Sequence, residues 1–203
     1  MNKEGLVLVI SGPSGVGKGT VVKELLKSQD EFAVSVSATT RNPREGEQHG
    51  KDYFFLKKDE FVDLINNDKV LEYATYCDNY YGTPRDYVEQ TIQTGKNIIL
   101  EIEVQGALQV IKSCPNAVSI FIMPQTLAVL QDRLTGRGTE TNDVIAKRMH
   151  TAIGEIKQAT KYNYVVVNDS LDDCVNDIKQ IIKAEKLRTI RMENFVKEVL
   201  SNV

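Results

Sequence analysis

The residues with the clearest capacity for chemistry lie near the N-terminus, in Gly12-Pro13-Ser14-Gly15-Val16-Gly17-Lys18-Gly19-Thr20. Their spacing is that of a P-loop. Glycines let the backbone close into a ring of inward N–H groups without Cβ clashes. A following helix N-terminus adds positive potential, and Lys18 supplies a mobile charge for β- and γ-phosphates. An apolar run, Leu6 to Ile10, precedes the segment, and the helical pattern Val21, Val22, Leu25, Leu26 follows it. A ligand-free glycine turn would share the glycines but not the lysine in this strand–loop–helix context. The motif ordinarily places Ser or Thr after the lysine, where its hydroxyl meets magnesium. Here Gly19 takes that place and Thr20 comes one residue later, so the direct hydroxyl contact is in doubt while nucleotide binding is not.

A second cluster runs Ser37-Ala38-Thr39-Thr40-Arg41-Asn42-Pro43-Arg44-Glu45-Gly46-Glu47, then Gly50-Lys51-Asp52-Tyr53, with Glu72 and Asn79-Tyr80-Tyr81-Gly82-Thr83 further on. Arg41 and Arg44, three apart in a loop with Pro and Gly, can converge on one phosphate with planar donor forks. Tyrosine hydroxyls can complete that ring of donors. The plain alternatives are two solvated arginines, a capping or solvated glutamate, and tyrosines that only pack.

A third group stands at a strand end. Ile98-Ile99-Leu100-Glu101-Ile102-Glu103 closes a buried-strand pattern with two carboxylates that alternation puts on one face. In α/β sheets such strand ends are where ligands bind. Arg133 and Arg137, four apart, share a helix face or its frayed end, Gly136 and Gly138 loosen the backbone there, and Arg148 follows on the next helix. A solvated basic face is the alternative.

At these residues the chain resembles the guanylate kinase family, over essentially its whole length. The resemblance implies an α/β P-loop nucleotide kinase fold: a central parallel sheet, an inserted α+β GMP-binding domain and a helical lid. It implies a nucleotide-binding core over 1–35, 95–125 and 164–203, a GMP-binding domain over 36–94, and a lid over 126–163. It implies that Arg41, Arg44, Tyr53 and Tyr81 grip the GMP phosphate, and that Ser37, Glu72, Thr83 and Glu103 surround the guanine. Glu101 takes an acidic position near magnesium and the phosphates. Arg133, Arg137 and Arg148 deliver positive charge to the transferring phosphoryl group, and Asn168 approaches the adenine. The activity implied is ATP + GMP giving ADP + GDP, with Mg2+ accompanying ATP. A carboxylate at Glu72 suits guanine, whose N1–H and N2–H₂ donate side by side, and repels adenine; sites of this kind discriminate by about 10⁴–10⁵. The acceptor phosphate oxygen is already anionic, so neither His49 nor His150 needs a catalytic role. Two other readings are a non-catalytic guanylate-kinase-like module that binds phosphorylated peptides, and a nucleoside monophosphate kinase of other specificity.

These residues need elements to position them. Buried strands are expected at Leu6–Ile10, Asn97–Ile102, Val118–Met123 and Tyr164–Val167, separated by helical patterns, as in α/β units around a parallel sheet. Leu127, Leu130 and Leu134 mark a helix that Gly136 ends. Ile145, Met149, Ile153 and Ile156 mark another. The tail from Leu171 is long for one helix, so a break is expected. Between these, Val34, Val36 and Ala38 alternate with polar residues as one half-buried strand. Asp52–Leu56 reads as a strand, a helix follows Asp59, and Thr83-Pro84 reads as an N-cap followed by the first helical position, with Gly95 as the stop.

Composition bounds the rest. The 203 residues fit one α/β domain with insertions or two small lobes, and 41% apolar residues suffice for a core. A formal charge of −3 lacks the basic surplus of a protein that tracks nucleic acid. Cys77, Cys114 and Cys174 lack metal-type spacing and read as free thiols of a reducing compartment. The five-residue apolar run near the start is too short for a leader or a membrane span, so a cytoplasmic location is expected. Nothing in the sequence chooses between monomer and homo-oligomer.

Overall fold

The computed structural model describes residues 4–28, 30–136 and 141–201. Strand β1 (Val7–Ser11) is buried on both faces, as a central parallel strand must be. It lies between β7 (Asn97–Glu101) and β8 (Val118–Met123) in a five-stranded sheet ordered β2-β7-β1-β8-β9, where β2 is Phe32–Val34 and β9 is Tyr164–Val167. Every pairing in this sheet is parallel. Alternate residues feed two cores. Leu8, Ile10 and Ile99 face helices α1 (Lys18–Leu25), α5 (Leu127–Thr135), α6 (Asn142–Ile156) and α7 (Leu171–Lys186). Val7, Val9, Ile98 and Leu100 face α3 (Arg85–Gln93) and α4 (Val104–Ser113).

A second sheet, ordered β4-β3-β6-β5, comprises β3 (Ala38–Thr39), β4 (Phe54–Phe55), β5 (Val70–Tyr76) and β6 (Asn79–Pro84). It has a small core of its own, Ala38, Phe61 and Val70, with Phe61 supplied by α2 (Lys58–Asn66).

Most expected elements are present, with boundaries moved by a residue or two. The expected strand through Val34, Val36 and Ala38 is instead two strands in two sheets: the chain leaves the parallel sheet after Val34 and enters the small sheet at Ala38. The Asp52–Leu56 strand shrinks to Phe54–Phe55. Thr83 does not cap α3, because β6 runs through it to Pro84, which takes the cap position. Leu127 is exposed while Leu130 and Leu134 are buried, so the α5 stripe is narrower than its leucines suggest. The expected break in the tail separates α7 from α8 (Thr189–Ser201). The β5–β6 hairpin was not expected. Its two-residue turn, Cys77-Asp78, has φ of 46° and 61°, a turn that usually announces itself with glycine or asparagine. Cys77, Cys114 and Cys174 are free, and burial pushes the Cys174 thiol up to about 11. Among the described residues no helix is long and apolar enough to cross a membrane.

Candidate active site

The loop between β1 and α1 forms one wall of a cavity of about 390 Å³, lined by Gly12, Ser14, Gly15, Gly17, Lys18, Gly19, Thr20, Glu101, Glu103 and Glu155. Gly12 is held at φ 151°, where a Cβ would lie 2.4 Å from the Ile122 carbonyl oxygen. Gly17, at φ 99°, is the cap residue of α1, so the first helical N–H groups point at the cavity. Pro13 and Val16 are buried beneath it, and Val16 packs into the core. Lys18 Nζ donates to the carbonyls of Gly12 at 2.6 Å and Pro13 at 3.3 Å. Burial lowers the Lys18 pKa; Glu155, Glu103 and Glu101, in that order, oppose the shift.

The strand-end carboxylates both reach this cavity, although β7 stops at Glu101 and Glu103 caps α4. Glu101 is exposed as a residue, yet its carboxyl points into the cavity, where desolvation raises its pKa and Lys18 opposes. Its Oε1 lies 3.4 Å from where a Gly19 Cβ would stand. A carboxylate oxygen thus borders the space that the motif's hydroxyl would fill. Mg2+ binds through one or two carboxylates plus substrate phosphates and water, and this donor set fits it.

Behind the loop, Arg133 Nη1 donates to the Val16 carbonyl at 3.0 Å and Nη2 to the Asn168 carbonyl at 2.9 Å. The Asn168 side chain donates to the Val16 carbonyl at 2.8 Å. In this structure both residues prop the loop from below. Arg148 Nη2 reaches Ser14 Oγ at 2.7 Å. Arg137 lies outside the described residues.

The small sheet builds a different site from side chains. Arg41 pairs with Glu47 through two 3.0 Å bonds, and the Arg44 backbone N–H donates to the same carboxylate at 2.7 Å. The Tyr81 hydroxyl also stands close enough to Arg41 to favour its charge. Its guanidinium lies over the rings of Tyr53, at 5.4 Å, and Phe55, at 5.8 Å. These partners raise the Arg41 pKa and depress that of Glu47. The Arg44 side chain is exposed. The clamp therefore already holds an anion, and that anion is Glu47. Ser37 is half-buried just before β3, its carbonyl accepting the Phe54 N–H.

Glu72 and Thr83, on neighbouring strands β5 and β6, are 8% and 1% exposed. The Thr83 hydroxyl donates to Glu72 Oε1 at 2.8 Å. Burial raises the Glu72 pKa, and the Thr83 contacts oppose it. Glu72 also closes on α4: a Cβ at Gly106 would lie 2.9 Å from its Oε2. A buried carboxyl with one side-chain donor retains capacity for further donors, as guanine would provide.

Three residues of these sites escaped the sequence reading. Glu47 sat inside the acceptor segment with no expected role. Glu155 is recoverable only from its spacing, seven residues after Arg148 and so on the same helix face. Gly106 gave no signal, since a helical glycine identifies no neighbour.

The guanylate kinase family model matches residues 4–185. A guanylate kinase of Bacillus anthracis is 51% identical over 98% of this chain and 97% of its own length. That of Bacillus subtilis (strain 168) is 50% identical over 98% of each chain. The crystal structure of guanylate kinase from Anaplasma phagocytophilum superposes with a TM-score of 0.66, at 33% identity, over 93% of this chain and 90% of that one. The chain belongs to the guanylate kinase family.

Proposed function

We infer that this chain transfers the γ-phosphoryl group of ATP to GMP, giving ADP and GDP. The observation that carries this reading is the buried Glu72–Thr83 pair in the small sheet, set in a chain half identical to guanylate kinases over nearly its full length.

In this reading the loop Gly12–Thr20 binds the ATP phosphates and Asn168 stands toward the adenine. Arg41, Arg44, Tyr53 and Tyr81 take the GMP phosphate, which displaces Glu47 from Arg41. Ser37, Glu72, Thr83 and Glu103 surround the guanine, and ionised Glu72 accepts N1–H and N2–H. A GMP phosphate oxygen attacks the γ-phosphorus in line. The new P–O bond forms as the bond to the β,γ-bridging oxygen breaks, and that oxygen leaves with ADP carrying the electron pair. The nucleophile is already anionic, so no side chain has to remove a proton. Catalysis is positioning and charge neutralisation. Lys18 and the loop amides hold the β- and γ-oxygens, and Arg133, Arg137 and Arg148 add charge around them. Mg2+, were it bound with ATP, would neutralise phosphate charge, and Glu101 would be the residue to hold it, directly or through water.

The core spans 1–35, 95–125 and 164–203, the GMP-binding domain 36–94 and the lid 126–163, and the chain works in the cytoplasm. Lys18 and the glycine-lined cradle support turnover over a phosphopeptide-binding module. With ATP and GMP, AMP, UMP or dTMP in parallel, product should form with GMP far faster than with the others. Equal rates would refute the assigned specificity.

A further inference from the structure

Helix α6 sends two side chains of opposite charge to one residue of the glycine loop. Arg148 donates to the Ser14 hydroxyl at 2.7 Å. Glu155, two turns later on the same face, lines the cavity beside Gly12, Ser14, Lys18 and Thr20, where the Ser14 backbone N–H favours its charge. Of the carboxylates acting on Lys18 it has the largest effect. Its Oε2 is buried and makes no hydrogen bond.

A half-buried carboxylate with one buried oxygen unsatisfied is costly, and the packing of α6 does not call for it. Ala152 is fully buried in the core, Met149 and Ile156 pack against that core, and Ile145 is buried as well. The surroundings of Glu155 explain it better. Inward N–H groups, a helix N-terminus and a lysine form an anion site, and an ionised carboxyl is an anion with acceptor-only oxygens.

We propose that Glu155 is a positioning residue that occupies the phosphate place of the cradle until nucleotide phosphate displaces it, so that arrival of the nucleotide re-seats α6. The proposal rests on reading the loop as the ATP site. A phosphate and Glu155 compete for the positive potential of the same loop N–H groups and the same ammonium, and their charges repel at close range. Once phosphate takes both partners, Glu155 must leave. Arg148, already beside Ser14, then meets the phosphate. Before nucleotide arrives, Glu155 serves as counter-ion to a partly desolvated Lys18. Glu47 plays a similar part on Arg41, but from within its own loop, so its departure moves no helix.

The test is calorimetric titration of ADP, without magnesium, into the full-length chain carrying Glu155→Gln, Glu155→Ala or Glu155→Asp. Removing the charge should tighten ADP about tenfold in the Gln and Ala variants, while the Asp variant stays within about threefold of the unaltered chain. GMP affinity should move by less than about twofold in all three. Damage to the fold weakens binding, so a gain separates displacement from a structural role. Unchanged or weaker ADP binding in the uncharged variants that retain the parent melting temperature overturns the proposal, and either variant suffices if the other fails to fold. If Lys18→Ala leaves ADP affinity unaltered, the cradle is not the nucleotide site, and both readings fall.

Discussion

The proposed donor cradle and acceptor clamp would each receive a phosphate, but they are built from different parts. The cradle is mostly backbone, set at the end of a buried strand in a sheet with a core on each face. The clamp is mostly side chain, drawn from a loop, β6 and an aromatic floor, over a core of three buried residues. A backbone site is stiff and offers little specificity beyond phosphate. A side-chain site on a small core discriminates and is free to close, because few buried apolar contacts resist its motion.

The contrast breaks if one side chain matters equally in both halves. Lys18→Ala should lower kcat about 10²–10³-fold with GMP affinity intact, measured in steady state with saturating substrates. Arg41→Ala should act on the other half, lowering kcat/KM for GMP about 10–100-fold while ADP affinity holds. A fall in ADP affinity in that variant would mean that the two sites are not separable.

Gly106→Ala sharpens the comparison at its seam. The three atoms nearest an added methyl all belong to Glu72. The methyl should push the carboxylate from its place and cut kcat/KM for GMP by about tenfold. The helix should gain about 0.5–1 kcal/mol from losing a glycine, so melting temperature should not fall. Reduced GMP use in a stable protein is the expected pair of results.

The smallest effect concerns pH. Unfolded, the Glu72 carboxyl titrates near its usual 4.5, and folded it titrates higher because burial disfavours the charge. Between those values the folded chain holds more protons, so its stability falls as pH rises through that window. Glu72→Gln lacks this loss. Its stability advantage should grow as pH rises and be complete above the folded pKa, as read from denaturant unfolding at several pH values. An advantage that grew toward acid pH would contradict the sign.

The same contrast governs what the sequence revealed. The cradle was legible at once, because a backbone site needs fixed glycine spacing, and the parallel strands were legible as short apolar runs. The clamp and the Glu72 site were not readable from spacing, since Arg41 comes beside Tyr81 only through the pairing of β3 with β6, and Glu72 meets Thr83 only across a hairpin that carries no glycine turn signal. The resemblance, not periodicity, assigned those residues. Ser35 to Ser37 passes between two sheets, and alternation alone cannot mark the point where a chain changes sheet. Thr83 looked like a cap because Thr-Pro usually is one, whereas here the hydroxyl serves Glu72.

The central claim is that Glu72 reads guanine for a phosphoryl transfer powered at Lys18. The most direct test is kcat/KM for GMP and for AMP, with ATP, in the unaltered chain and in Glu72→Gln. The unaltered chain should prefer GMP by about 10⁴–10⁵, and the variant should lose most of that preference while retaining ADP affinity. A variant with the full GMP preference, or no GDP from the unaltered chain at saturating ATP and GMP, would contradict the account.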